Sequence, residues 1–426
     1  MKKVKIFFIF SIFLSLLAMA ACGSDGSSSD TEAEDITLEL AYWTQDTGME
    51  EILEHAIEIY NDDHEHVEIT FTSVPFDNYW TRMQTSLSGG QGPDILLMDG
   101  RNYLQLASLG LLENLNSYIE DSDLDMSVYP DGMNNLYKYE EEHYAIPFVM
   151  GPMALYYNKE IFDEAGVDYP DESWTWEDVE EYGGQLADNE DGTYGFIVDT
   201  TTFTQQAGLF PLVHQAGGSI ISDDKTESGF GTPETTEAIQ FLQTLTEEGI
   251  SPPVSTLQET QAKQMFGSER GAMYTSGSYD VSFFSESLGD KLGVSVLPQH
   301  KQKGYPIHGS AFSVNANSEY KEEAFEFIKV LTGDDTQEFL GEIGSNFPAH
   351  MEVVEVWEQS HPELELSAFR EGLDDTVPYP SSLTISEWQE VVTSELTSGI
   401  SNNTPAEEVS QTIEEQMNEI LEEENR

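Results

Sequence analysis

Along the first quarter of this chain the hydrophobic period switches between about 2 and about 3.6 residues, and that alternation is the strongest constraint on its architecture. Ile36 to Tyr42 alternates apolar and polar side chains, as a half-buried strand does. In Glu50 to Tyr60, the residues Ile52, Leu53, Ala56, Ile57 and Tyr60 fall on one helical face. Val67, Ile69 and Phe71 alternate again, and Pro93 to Met98 carries an apolar run bounded by Gly89-Gly-Gln-Gly92 and Asp99-Gly100. A short apolar run between turn residues suits a strand buried on both faces. Strand, helix, strand, helix, strand in that order implies an α/β fold with a mostly parallel sheet.

Further elements follow in the same style. Ala145 to Val149 and Ala154 to Tyr157 are strand candidates on either side of Met150-Gly151-Pro152. Thr175-Trp-Glu-Asp178 has the form of a capping box at a helix start. Pro233 to Leu245 and Lys321 to Leu331 are amphipathic helix candidates. Thr404-Pro405-Ala-Glu407 reads as N-cap, first-position proline and first-turn acid of a last helix, with Val409, Ile413, Met417, Ile420 and Leu421 as its stripe.

From Ile36 to Arg426 the chain is too long for one small core, so two lobes are expected. Hydrophobic residues at 38%, with 22 Phe, 19 Tyr and 6 Trp, supply enough core to exclude disorder. Charge is the anomaly: 17 Lys+Arg face 80 Asp+Glu. Three of those lysines lie in the first 21 residues, which hold no acid, so the rest carries 14 minus 80, or −66. Self-repulsion on that scale excludes a nucleic-acid groove and electrostatic docking on anionic lipid. Because the acids are spread along the chain rather than gathered in a tail, they read as a solvated surface adapted to high salt in preference to a cation store.

The amino terminus reads as an address. Lys2, Lys3 and Lys5 precede an apolar run from Ile6 to Leu17 that is too short to span a bilayer, and small residues then lead to Ala20-Ala21-Cys22. Residues 1–21 therefore form a signal peptide. The cleavage region resembles the lipobox of bacterial lipoproteins, with Met19 where Leu is commoner, and implies that Cys22 is diacylated and becomes the new N-terminus. Two acyl chains give a stable anchor where one does not. Cys22 is the only cysteine, which leaves no disulfide and no thiolate metal cluster. Residues 22–35, rich in Gly, Ser and Asp, read as a flexible tether.

Several segments, taken in order, resemble the extracellular solute-binding proteins of sugar importers, the family of maltose- and multiple-sugar-binding proteins. They are Leu40-Ala-Tyr-Trp43-Thr-Gln-Asp46, Val74-Pro-Phe-Asp-Asn-Tyr79-Trp80, Gly89-Gly-Gln-Gly-Pro93-Asp94 through Gly100, and Ala145-Ile-Pro147-Phe through Lys159. Ser173-Trp-Thr-Trp-Glu-Asp, Phe210-Pro-Leu with Gly217-Gly218, Arg270-Gly-Ala-Met-Tyr-Thr-Ser276-Gly277-Ser-Tyr279 and Asn346-Phe-Pro348 follow. The resemblance covers nearly the whole chain after Cys22. It implies a type II periplasmic-binding-protein-like α/β fold, two α/β lobes joined by a hinge with the ligand cleft between them. One lobe is expected from residues 36–147 and 298–346, the other from 148–297 and 347–426. The implied partners are a sugar and the permease subunits of an ABC importer with its cytoplasmic ATPase. The chain is expected to work as a monomer without a cofactor, held to the extracellular face of the membrane by lipid alone.

A sugar presents hydroxyls around a ring with apolar C–H faces, so its receptor needs flat aromatics and short polar groups. Trp43, at the carboxyl end of the first strand, is the leading stacking candidate, with a helix-anchoring aromatic as its alternative. Phe210 and Tyr279 stand where sugar-binding relatives often have Trp; ordinary core is the alternative for both. Gln45, Asp46, Asp99, Arg101 and Asn102 are candidate hydroxyl partners, the acids being alternatively solvated loop residues and Arg101 alternatively half of a salt bridge on the lobe surface. Met150 and Gly151 lie at the crossover, where maltose-type relatives carry a binding acid that Gly151 lacks, which puts maltose specificity in doubt. Ser276, Gly277 and His308 complete the expected ligand set.

Two other readings compete. An extracellular glycoside hydrolase would also carry aromatics and acids, but with 80 acids a suitably spaced pair has no weight. A metal receptor could use Asn61-Asp-Asp-His64-Glu-His66 with His55, residues that read more simply as the wet end of the first helix.

Overall fold

The computed structural model describes residues 35–44, 48–188, 190–201 and 206–425, apart from the side chain of Asp77. The signal segment, Cys22, the tether up to residue 34, Gln45 and Asp46 lie outside the described residues. Ile36–Arg426 forms one compact unit built on two principal sheets.

The alternating segments fold as their periods dictate. β1 (Ile36–Trp43) and β2 (Val67–Val74) flank the helix Met49–Asn61, and the helix Phe76–Ser88 leads into β3 (Ile95–Asp99). Each of the five residues of β3 is buried, as a run apolar on both faces requires. A short hairpin of β4 (Lys138–Tyr139) and β5 (Glu142–His143) precedes β6 (Ile146–Met150) and β7 (Met153–Asn158), the two strands expected around Gly151. β8 (Tyr194–Ile197), β9 (Gly271–Gly277), β10 (Leu292–Ser295), β11 (Gly309–Val314) and β12 (Phe347–Pro348) follow.

The larger sheet has the order β12-β6-β11-β3-β1-β2. Only the β2-β1-β3 part is parallel, because β11, arriving from the other sheet, runs antiparallel to both β3 and β6. The sheet is therefore mixed, where the local pattern implied one mostly parallel. The smaller sheet, β10-β7-β9-β8, is antiparallel except for the β8–β9 pair. Tyr79, fully buried on its helix, donates its hydroxyl to the carbonyls of Ala41 (3.1 Å) and Leu97 (2.8 Å) and so pins that helix across β1 and β3.

Local chemistry sets the helix ends. Thr175 and Asp178 form the reciprocal capping box, and Thr232 caps Pro233–Glu247 in the same way. The last helix begins one residue later than expected, at Ala406, and Thr404 does not cap it. Asn403, left-handed at φ 52°, ends the preceding helix, and the Thr404 N–H bonds back to Gly399.

Three stretches join the two sheets. The first is Gly151-Pro152, between β6 and β7; the second runs from β10 to β11; the third leads from β12 toward the helix Ile385–Asn402. Strand register fixes what meets there. Asp99 lies opposite Ser310, Gly309 opposite Met150, and Met153 opposite Gly277. The carboxyl ends of β3 and β9 are thus brought to the same crossover.

Candidate functional site

On the side of the larger sheet the site is built around one carboxylate. Asp99 ends a fully buried strand and is itself 1% exposed. Its Oδ1 accepts the backbone N–H of Arg101 (3.1 Å) and of Asn102 (2.9 Å) and the Asn102 side-chain amide (3.0 Å). Its Oδ2 accepts Nε (2.9 Å) and the terminal Nη2 (2.5 Å) of Arg101. Burial opposes the charge on Asp99, but the Arg101 guanidinium and the Asn102 donors outweigh it and hold the carboxyl below its ordinary range. The guanidinium also lies 5.2 Å from the centre of the Phe76 ring. Asp99 thus serves as the mount that orients Arg101 and Asn102, which differs from a loop acid offering both oxygens to a sugar.

Where the chain returns from the smaller sheet, His308 faces this pair. Burial and the nearby guanidinium push its imidazole down to about 4, so it is neutral at ordinary pH, and its buried Nε2 has no hydrogen-bond partner among the described residues. Its ring packs 5.4 Å from Tyr379, whose hydroxyl accepts an amide hydrogen from Gln389 (3.0 Å) and is pushed by burial up to about 12. A histidine with a folded pKa below the ordinary 6.5 binds fewer protons folded than unfolded. Its stabilisation is complete above about 6.5 and lost as pH falls toward about 4. Relative to the parent, His308→Gln is expected to flatten the dependence of stability on pH in that window, read as urea midpoints; an undiminished slope would remove His308 as its source.

The smaller sheet contributes Tyr279. It is 38% exposed although Ser276, Gly277, Ser278 and Asp280 around it are buried. Its hydroxyl accepts a hydrogen from the Gln206 amide (3.1 Å). A Cβ at Gly151 would come within 3.4 Å of the Tyr279 ring, so the ring lies over the crossover where the glycine leaves room. The Gly151 N–H donates to the His308 carbonyl (2.8 Å), joining two of the three connections between the sheets.

The remaining candidates take supporting places. Trp43 is 7% exposed, packed edge-on by Phe76 and Tyr79 and tilted against Trp80, so most of its ring face is covered. Phe210 is fully buried against Tyr379 and Trp388 and is core. Met150 is buried, its carbonyl accepting the Ser278 hydroxyl (3.4 Å). The Ser276 hydroxyl donates to Asp280 (2.5 Å), and the Gly277 carbonyl accepts from Tyr156 (2.7 Å). Tyr379, Gln206, Gln389 and Phe76 were not singled out in the sequence. Only Tyr379 had a signal there, being a tyrosine held between Pro378 and Pro380. The structure therefore gathers, among the described residues, one exposed aromatic face, a fixed cation, an amide and an imidazole nitrogen without a partner around a crossover, a set suited to hydroxyl-bearing rings.

The histidines near residue 61 take other contacts. His64 stacks on Tyr60 at 4.1 Å with Nδ1 3.0 Å from the Tyr60 carbonyl, and His55 stacks on Phe339 at 4.2 Å. Among the described residues, no group of three or more His, Cys, Asp or Glu is placed to hold a metal ion.

Residues 41–338 match the family profile described as bacterial extracellular solute-binding protein. The chain is 29% identical over 213 residues to the arabinooligosaccharide-binding protein of Halalkalibacterium halodurans, spanning 49% of this chain and 45% of that one. With the galactooligosaccharide-binding protein of Bacillus subtilis it shares 23% over 329 residues, 75% of this chain and 74% of the relative. An ABC substrate-binding protein from Listeria monocytogenes, solved in complex with cycloalternan, superposes with a TM-score of 0.84 at 23% identity, covering 91% of this chain and 99% of that one.

Proposed function

This chain belongs to the bacterial extracellular solute-binding protein family, with the two-lobed type II fold of sugar-binding members, and from that premise we propose that it captures a mono- or oligosaccharide outside the cell and delivers it to an ABC importer. The expected lobes, residues 36–147 with 298–346 and 148–297 with 347–426, are taken with two boundaries moved, after Met150 and after Pro348, because β6 (Ile146–Met150) and β12 (Phe347–Pro348) both pair into the larger sheet. The observation that carries the reading is the exposed Tyr279 ring at the crossover, with the Arg101 guanidinium and a His308 nitrogen that has no partner among the described residues gathered around the same connection. Tyr279 covers an apolar sugar face; Arg101, Asn102, Gln206 and His308 serve the hydroxyls, with Gln45 and Asp46, which follow Trp43 in the sequence, as further partners. Closure of the lobes then buries the sugar, and the closed form is what the permease recognises.

The relatives support this choice of ligand class, since the two named above are oligosaccharide-binding proteins by name. Export and lipidation at Cys22 place the receptor on the outer face of the membrane, where a short tether keeps it near its permease at high effective concentration. No bond is made or broken in this role. A thermal-shift screen over mono- and oligosaccharides in high salt is expected to give a shift with at least one sugar, which is recovered unchanged. No shift with any sugar would sink the reading, and new reducing ends in the recovered sugar would move the chain to the hydrolases.

A further inference from the structure

An exposed aromatic that stacks on a ligand works only if its backbone is held still. Tyr279 sits in a single turn of 3-10 helix, Ser278–Asp280, between β9 and the helix Val281–Leu288. On one side that turn is tied to the crossover: the Ser278 N–H donates to the Pro152 carbonyl (2.9 Å), and its hydroxyl to that of Met150 (3.4 Å). On the other side it is tied through Asp280, whose two oxygens are divided. Oδ2 accepts the Ser276 hydroxyl at 2.5 Å, and Oδ1 faces the Lys263 ammonium at 2.5 Å. Lys263 reaches there from the helix Ala262–Gly267, with its ammonium 4.5 Å from the centre of the Phe283 ring.

Lys263 differs from the other lysines in what it pairs with. The carboxylates that hold Lys291, Lys301, Lys321 and Lys329 are between 23% and 92% exposed, whereas that of Asp280 is 6% exposed. Solvated pairs contribute little, but a buried carboxylate that loses its cation is left uncompensated. In a chain with 80 acids and 17 cationic residues, one lysine, its own side chain 35% exposed, is set against the buried acid beside Tyr279.

We propose that Lys263, acting through Asp280, is a positioning residue for ligand capture: it fixes the turn that presents the Tyr279 ring at the crossover. The inference rests on the reading that Tyr279 stacks on sugar, and its test keeps the two apart.

In the full chain labelled with fluorotyrosine, the fluorine NMR line of Tyr279 is assigned by its loss in Tyr279→Phe. Lys263→Met is expected to shift or broaden that line without any sugar present, and Lys263→Arg to restore it. An unmoved line overturns the proposal. Should Lys263→Met not fold, the pair Lys263→Met with Asp280→Asn removes both charges together and is read in the same way. Calorimetric titrations with maltotriose, arabinotriose and galactobiose complete the cycle. Lys263→Met is expected to weaken the sugar that binds by about tenfold in the parent and to have no further effect in Tyr279→Ala. Full additivity overturns the positioning role while leaving the stacking role intact; absence of any loss in Tyr279→Ala overturns the stacking reading itself, and with it the inference.

Discussion

Arg101→Ala is expected to lower the free energy of unfolding by about 3–5 kcal/mol, because it strands the Asp99 carboxylate at the end of a buried strand. The side chain to be removed supplies two of the hydrogen bonds to that carboxylate and its compensating charge. Equilibrium urea unfolding of the two proteins measures the difference. Asp99→Asn combined with Arg101→Met is expected to recover most of the loss, since neither partner is then a buried ion. A cost for Arg101→Ala below about 1 kcal/mol, the range of solvated pairs, would mean that the two charges are not enclosed together.

Tyr279→Ala is expected to do the opposite, weakening sugar about 30-fold while costing under about 1 kcal/mol of stability. The affinity loss corresponds to about 2 kcal/mol, the order expected when a large aromatic face no longer covers apolar surface. Stability changes little because the ring is 38% exposed and gives up limited packing. Calorimetric titration with the sugar found by thermal shift, paired with a melting curve, separates the two effects. Trp43→Ala reverses the pattern, its enclosed ring making it chiefly a stability mutation. Sugar affinity unchanged in Tyr279→Ala but lost in a folded Trp43→Ala would restore Trp43 as the stacking residue.

Why Trp43 drew attention, and why the structure favours Tyr279, shows how far a linear reading reaches. Period and strand ends are local, so the start of β1 and the burial of β3 could be read directly, and Trp43 was correctly placed at a strand's carboxyl end. What covers Trp43 is not local: Phe76, Tyr79 and Trp80 arrive from the helix Phe76–Ser88, beyond β2, once it docks across β1 and β3. The same distinction separates Asp99 from its role. Asp99, Arg101 and Asn102 are close enough in sequence to be grouped, but the direction of the guanidinium, back onto Asp99, follows from its burial.

Tyr379 and Gln206 belong to stretches with no periodic pattern; Tyr379 reaches the site through the third connection between the sheets and Gln206 from the stretch between β8 and the helix Leu209–Gln215, pairings that no window along the sequence spans. Phe210 reads in the sequence equally as a stacking residue or as core, and its enclosure by Tyr379 and Trp388 depends on the third connection and the helix it leads to. The mixed larger sheet has the same origin, since β11 returns from elsewhere and its direction is a matter of topology.

The second and third connections are joined to each other as well as to the sheets. The Ile307 N–H donates to the Val377 carbonyl (2.8 Å) and the Val377 N–H to the Tyr305 carbonyl (3.0 Å), while the Gly151 N–H bonds to His308 from the first connection. A single strand between two bodies is a swivel, free to twist as well as bend. Strands bonded side by side act like the leaf of a door hinge: they flex together about one axis and resist rotation about the others. Displacement of one sheet against the other is thereby reduced toward a single coordinate, so that one distance across the cleft, followed by a pair of labels, suffices to describe opening and closing.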